Sequence, residues 1–388
     1  MNILKLKAWV ICLAFITVLA SCQKQSEVAP EKNIPATSKS INKDKIALDV
    51  VDLLNQKSSR NSIINSLKAQ QPSVALATIL DQVKSEGINN TATQQLRQVV
   101  TSAEATYKNV EAPDNVEVPE LWLHQPTAGV DFSKLLIAYA PTQKDEAEWT
   151  KVKAYNLQKE VVYLDPFKAP EVPVIVVETD GFEALKVEVA YMNKQLKKKG
   201  LQNFAQRTAA KKRTTASGLE TTKLDRIRLN DDKEPWISGS AEVYAITSGI
   251  RGNQKEAQIN VIPMYYLDTD GKTYYPNQVL LFWDDYDYQA ANIQLFEKDD
   301  NHNYKDMVAV IVDGVFKITG LLTEVPIVSA LGQIANAIIQ AMPDAWFTND
   351  DDYVDSFYTI EKNRTYRNYN GAGGNANVDL TPFFIPAN

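Results

Sequence analysis

The sequence is poor in the two residues that most metal and redox sites need: of its 388 residues, only two are histidine and two are cysteine. Zinc fingers, iron–sulfur clusters and His-rich metal sites are excluded because the ligands are missing, and a disulfide scaffold is excluded because the cysteines are. No GxSxG, P-loop, HExxH or GxGxxG pattern occurs either. The remaining composition, 44% apolar and 23% charged, is that of a globular protein with about two domains.

Residues 1–21 are predicted to be a lipoprotein signal peptide. Lys5 and Lys7 give it a positive start, and an uncharged apolar run of 13 residues, 8–20, follows. That run is too short for a membrane span of ~20 residues and has the length of a signal-peptide core. It ends in LASC, which resembles a lipobox whose cysteine, Cys22, is lipidated. We therefore expect a lipid anchor in the envelope of a Gram-negative bacterium, on the periplasmic face or the cell surface. The alternative is an ordinary signal peptide with an incidental cysteine.

The segments behind the signal differ in composition. Residues 22–44 are polar and are predicted to be a flexible tether. Residues 45–199 are predicted to form an N-terminal α+β domain, with apolar stripes at helical spacing first, Asp44 as a candidate N-cap, and then a small sheet. Residues 200–220 are predicted to be a basic linker, either a solvated interdomain segment or a contact for anionic phospholipid or polysaccharide.

Residues 221–388 are predicted to form an acidic, antiparallel β-sandwich. This part carries 24 acidic and 13 basic residues, so the acidic bias of the chain lies here. Six runs have the length and composition of strands, and a more apolar stretch, 307–342, has helical spacing and is predicted to be a helical insert. The fold class predicted for the chain is therefore α+β.

Acidic clusters at the ends of the predicted strands are the main chemical signal. Four such clusters of Asp, Asn and Glu occur in this part, and like charges at this density are tolerated when a cation neutralises them. Ca²⁺ takes 6–8 oxygen ligands from carboxylates, amides and carbonyls, and the lack of His and Cys favours such a hard cation. Solvated acidic loops are the alternative. The candidate ligands are Asp231, Asp232, Asp284, Asp285, Asp351 and Asp352.

Two resemblances extend this interpretation. The LWLH segment at 121–124, AYAP at 138–141 with Trp149, and Pro173-Val174 resemble an uncharacterised family of bacterial exported lipoproteins, which is defined only as a domain of unknown function. Residues 228–239, with three aspartates before the last predicted strand, resemble a calcium-loop β-sandwich of the C2 type. The second resemblance implies Asp-rich loops that hold Ca²⁺ and face an acidic lipid or a protein.

These features predict a lipid-anchored envelope protein that acts as a calcium-dependent binding or structural module. Its expected partners are the membrane, through the lipid, and an anionic lipid, glycan or protein ligand, but not nucleic acid. No catalytic residue is assigned, since His124 is expected to pack or hydrogen-bond, and the glycine-rich 371–374 is expected to be a turn. The alternative function is a secreted hydrolase that uses carboxylates on polysaccharide or phosphoester.

Overall fold

The structure is a computed structural model. It describes residues 40–69, 73–109, 116–126, 130–142, 148–202, 218–230, 235–239, 241–252, 255–264, 266–267, 271–297, 304–319, 322, 325–341 and 353–387.

Four helices open the described chain: α1 (Lys43–Leu54), α2 (Lys57–Ala69), α3 (Leu76–Ser85) and α4 (Thr91–Asn109). The predicted apolar stripe of α1, which includes Ile46 and Val50, is buried in the hydrophobic core that these helices share with the first sheet. The N-cap of α1 is Asn42 and not Asp44, because the Asn42 side chain accepts a hydrogen bond from Lys45 N at 3.0 Å. Asp44 lies in the first turn instead, where a carboxylate favours the helix dipole.

A six-stranded mixed sheet, sheet A, packs against these helices in the order β1-β2-β6-β3-β4-β5. Its strands are β1 (Val74–Ala75), β2 (Glu120–His124), β3 (Leu136–Ala138), β4 (Val152–Asn156), β5 (Val161–Leu164) and β6 (Val174–Glu178). β3 and β6 run parallel, and the other neighbouring strands are antiparallel. Successive side chains of a strand point to opposite faces of the sheet. In β2, Leu121 and Leu123 therefore pack in the core on the helical side, whereas Trp122 packs on the opposite face.

Among the described residues, helix α5 (Phe182–Lys198) is followed by nine further strands and two further helices. The strands are β7 (Leu219–Leu229), β8 (Tyr244–Arg251), β9 (Glu256–Pro263), β10 (Thr273–Tyr274), β11 (Gln278–Phe282), β12 (Ala290–Phe296), β13 (Tyr353–Glu361), β14 (Tyr366–Asn370) and β15 (Ala376–Ile385). The helices are α6 (Tyr304–Thr319) and α7 (Ile327–Ala341), which lie between β12 and β13 in the chain. The predicted α+β class and the predicted helical insert are therefore confirmed.

These strands form two antiparallel sheets that share one core. Sheet B has the order β10-β7-β15-β14 with β11 also paired to β7, and sheet C has the order β13-β12-β8-β9. Apolar residues from both sheets, among them Leu224 and Ile293, fill the space between them. The other face of sheet C is covered by α5, α6 and α7, so this part of the chain has three layers.

The predicted division at residue 200 separates segments that share cores in the structure. Leu185, Val189 and Met192 of α5 pack in one cluster with Ile259 and its neighbours on sheet C. Conversely, Ile237, which follows the predicted division, packs with residues of sheet A, which precede it. Most of the predicted linker lies outside the described residues, and two separately folding domains stay a prediction. No helix among the described residues is long and apolar enough to cross a membrane.

Candidate functional site

The structure describes only two of the six predicted calcium ligands. Asp231, Asp232, Asp351 and Asp352 lie outside the described residues. Asp284 and Asp285 form the end of a 3-10 turn after β11, but their surroundings differ: Asp284 is exposed, whereas Asp285 is buried and accepts a hydrogen bond from Asn260 Nδ2 at 3.3 Å. Within the described part of the chain, no group of three or more His, Cys, Asp or Glu side chains is placed to hold a metal ion. The calcium site stays a prediction.

Asp355 lies in β13, close to the predicted ligands at 351–352, and has a structural role. It is fully buried, and its carboxylate accepts hydrogen bonds from three backbone N–H groups, those of Ser356, Gly373 and Ala376, at 2.6–2.7 Å. Gly373 lies in the turn that joins β14 to β15 and Ala376 begins β15, so the predicted turn at 371–374 is confirmed. A Cβ on Gly371 would lie 2.2 Å from Asp355 Cγ. The turn is glycine-rich because it wraps a carboxylate.

A second buried group of acids was not among the predicted sites. Glu120 begins β2 and Glu178 ends β6, and the antiparallel register places the two residues directly opposite each other. Their side chains are only 1% and 4% exposed. We call these two residues, with Asp180 and the Lys43 ammonium, the carboxyl cluster. Charged side chains are almost never buried to this degree unless they are paired, so their partners decide what the cluster does.

The two glutamates have different partners. Glu120 Oε2 accepts hydrogen bonds from Ser73 Oγ at 2.9 Å and from the backbone N–H of Glu183, in the first turn of α5, at 3.1 Å. Glu178 Oε1 accepts from Lys43 Nζ at 3.0 Å, and the same ammonium lies 3.5 Å from Asp180 Oδ2. The cation of the cluster is therefore shared by Glu178 and Asp180, while Glu120 accepts hydrogen bonds from neutral donors.

Burial raises the pKa of the Glu120 carboxyl group. Burial is the largest cause that raises the pKa of Glu120, to about 8, and the negative charge of Glu178 adds to it, while the hydrogen bonds from Ser73 and Glu183 act in the opposite direction. Glu120 is therefore protonated at neutral pH. A Cβ on Gly181 would lie 2.0 Å from Glu120 Oε1, so the N-cap of α5 has to be glycine for the helix to sit on this carboxyl group.

The first described residues are tied to sheet A near this cluster. Ser40 Oγ and the Ile41 N–H donate to the two carboxylate oxygens of Glu117, at 2.9 and 3.0 Å, and Lys43 bonds Glu178 as above. Asp44 Oδ1 accepts from three donors at 2.5–2.8 Å: Tyr139 OH, Lys153 Nζ and Tyr155 OH. Burial opposes ionisation of Asp44, but these hydrogen bonds and the Lys153 charge outweigh it and lower its pKa. We call residues 40–44 and these partners the N-terminal clamp.

His124 has the role that the sequence suggested. His124 Nε2 is 2.9 Å from the Pro170 carbonyl oxygen, and its ring lies 5.4 Å from that of Trp236, so His124 hydrogen-bonds and packs as predicted. Cys22 lies outside the described residues. The sequence carried one signal for the carboxyl cluster that went unused, a glutamate that directly ends the apolar strand VIVV at 174–177.

Comparison with known proteins gives a family and no function. A family model described as "Protein of unknown function (DUF3103)" matches residues 37–388. A search of curated proteins and a search of solved structures each found no match. The match confirms the predicted resemblance at the level of an uncharacterised family. The C2-type resemblance stays a prediction.

Proposed function

We propose that this chain, which belongs to the DUF3103 family of proteins of unknown function, is a lipid-anchored cell-envelope protein that acts as a calcium-dependent binding or structural module. The sequence supports the anchor through the positive start, the short apolar run and the LASC ending at Cys22. The family match begins at residue 37, after the signal and most of the polar segment that follows it.

The observation that carries the proposal is the N-terminal clamp. An anchored protein needs its first folded residues to be held firmly, because any pull on the anchor reaches the folded body at that point. Here Ser40, Ile41, Lys43 and Asp44 donate to or accept from side chains of sheet A and the segment before it. Residues 22–39 lie between the lipidated cysteine and the clamp, and a chain of that length spans at most ~65 Å when fully extended.

The calcium part of the proposal rests on the acidic clusters of the sequence. Asp284, exposed after β11, is a carboxylate that remains open to solvent. The proposed site is completed by aspartates at 231–232 and 351–352, outside the described residues. Oxygen donors of this kind suit Ca²⁺.

The alternative, a carboxylate-dependent hydrolase, gains no support from the carboxyl cluster. Glycoside hydrolysis needs two carboxyl groups that flank the substrate. Glu120 and Glu178 lie side by side, but at 1% and 4% exposure they are enclosed by α1, α5 and the strands. Neither carboxyl group is therefore open to a substrate.

The test of the anchor is a matched pair of cysteine variants. Cys22→Ser should abolish metabolic labelling with a fatty acid and release the protein from membranes. Cys12→Ser, which changes the cysteine inside the signal peptide, should leave both properties unchanged. If Cys22→Ser still partitions into detergent as the wild type does, the anchor proposal is wrong.

A further inference from the structure

A groove on the surface of the N-terminal region has a chemical character unlike that of the chain as a whole. It lies between α2 and the 3-10 turn Phe132–Lys134 and has a volume of about 650 Å³. That volume falls within the range of about 300–1,000 Å³ that is typical of ligand sites. The side chains that matter here are Lys57, Arg60, Asn61, Asn65, Lys68 and Phe132.

Helical spacing arranges these side chains in a stripe. Lys57, Asn61, Asn65 and Lys68 follow each other at intervals of three or four residues, so they share one face of α2. At 1.5 Å per residue, the two lysines stand about 16 Å apart along the helix axis. The groove is thus elongated, with cations at both ends and amides between them.

The described part of the protein offers the cations of this groove no ion-pair partner. Among the described residues, Lys57, Arg60 and Lys68 form no ion pair, and none of the described residues lining the groove is acidic. Arg60 Nε donates to the Leu54 carbonyl oxygen at 2.7 Å, which fixes the guanidinium at the start of α2 and leaves its other N–H groups available. Lys68 Nζ lies 4.5 Å from the centre of the Phe132 ring, so its ammonium is also held in place.

We propose that this groove binds an acidic oligosaccharide. Its carboxylate or sulfate groups pair with Lys57, Arg60 and Lys68, and its hydroxyl groups bond to the amides of Asn61 and Asn65. Ile64 and Phe132 supply the apolar floor. A single phosphate or lipid headgroup satisfies only one end of a 16 Å stripe, whereas a sugar chain reaches both ends. This inference goes beyond the proposed function, because it needs neither the lipid nor calcium.

The test is calorimetric titration of the purified full-length protein in detergent with three probes. Tetragalacturonate is the acidic oligosaccharide, maltotetraose is its neutral counterpart, and glycerol phosphate stands for a lipid headgroup. We expect binding of tetragalacturonate that weakens with rising salt, and no binding of maltotetraose. If glycerol phosphate binds as tightly as tetragalacturonate, or if tetragalacturonate does not bind, the proposal is overturned.

Matched variants locate the site. Lys57→Gln with Lys68→Gln should weaken tetragalacturonate binding about tenfold or more, since each lost charge-assisted contact is worth a large fraction of a tenfold change. Lys194→Gln with Lys197→Gln removes the same charge from exposed positions on α5 and should change affinity less than about twofold. Equal losses in the two pairs would mean that the interaction is one of overall charge only and would overturn the site.

A third variant separates sugar recognition from charge. Asn61→Ala with Asn65→Ala keeps the net charge, and both side chains are exposed, so the fold should be unaffected. It should weaken tetragalacturonate binding several-fold at high salt, where the amide contacts contribute most of what remains. Unchanged affinity would show that hydroxyl groups are not recognised and would overturn the assignment to an oligosaccharide.

Discussion

Replacing the buried Glu120 with Gln should make the protein less sensitive to alkaline pH. The native state holds a proton on this carboxyl group up to pH about 8, whereas the unfolded chain releases it near the ordinary glutamate pKa of 4.5. Because the native pKa is raised, the stabilising contribution is fully present below pH 4.5 and is lost as the pH rises through 8.

The size of the effect follows from the shift. At about 1.4 kcal/mol for each unit, a shift from 4.5 to about 8 corresponds to about 5 kcal/mol as an upper bound. A glutamine has nearly the shape of protonated glutamic acid, and its carbonyl oxygen can still accept from Ser73 and the Glu183 N–H. Above pH 8 we therefore expect Glu120→Gln to be more stable than the wild type by a few kcal/mol, with the difference vanishing near pH 4.5.

Urea unfolding followed by tryptophan fluorescence, at several pH values between 4.5 and 9, measures this difference. Glu256→Gln removes a charge from an exposed position on β9 and should keep the pH profile of the wild type. Glu178→Gln should have the opposite effect. It replaces the carboxylate that pairs with the Lys43 ammonium by a neutral amide and should destabilise the protein at neutral pH. The reasoning is refuted if Glu120→Gln and the wild type lose stability in parallel as the pH rises.

Two other predictions concern the acidic residues of sheets B and C. Ca²⁺ at a hundredfold excess over Kd should stabilise the protein by roughly 2.7 kcal/mol, and it should raise the melting temperature more than Mg²⁺ does. Asp284→Asn with Asp285→Asn should reduce that shift; equal shifts with both ions that salt abolishes would contradict a site. Gly371→Ala should lower the free energy of unfolding by about 2–4 kcal/mol, measured by thermal or urea unfolding, because its Cβ would collide with the Asp355 carboxylate. The control is Gly332→Ala in α7, where a Cβ meets nothing within 4 Å, and it should be neutral or slightly stabilising. Equal losses in the two variants would disprove the role of the turn.

Local pattern predicted the elements that bury a regular apolar stripe. The helices α1–α5, the inserted pair α6 and α7, and strands such as β6 follow from periodicity in single segments. Strands β14 and β15 were missed: β14 is largely exposed, and although residues 376–381 of β15 alternate, its end carries the exposed Phe383 and Phe384. β15 pairs with β7, which is a tertiary contact, and β14 pairs with β15.

The burial of polar residues in sheet C could not be predicted from local sequence pattern either. Asn292 and Gln294 on β12 face α7, and their side-chain amides donate to the Leu331 and Ala335 carbonyl oxygens. From the sequence alone, nothing distinguishes these two residues from other polar residues of a strand. Only the position of the helix over the sheet gives them partners and allows their burial.

The sequence by itself determined the α+β class, the order of most elements, and the acidic bias of residues 221–388. The tertiary structure decided what individual acids do. Glu120, Asp284 and Asp355 are all carboxylic acids next to strand ends, yet one is buried and protonated, one is exposed, and one holds a turn. Glu178 adds to the effect of burial on Glu120 and lies 58 residues away in the chain, and Gly373 and Ala376, which donate to Asp355, lie 18 and 21 residues away. A carboxyl group responds to the dielectric and the donors within a few ångströms of it, and those are set by strand pairing and not by neighbouring letters.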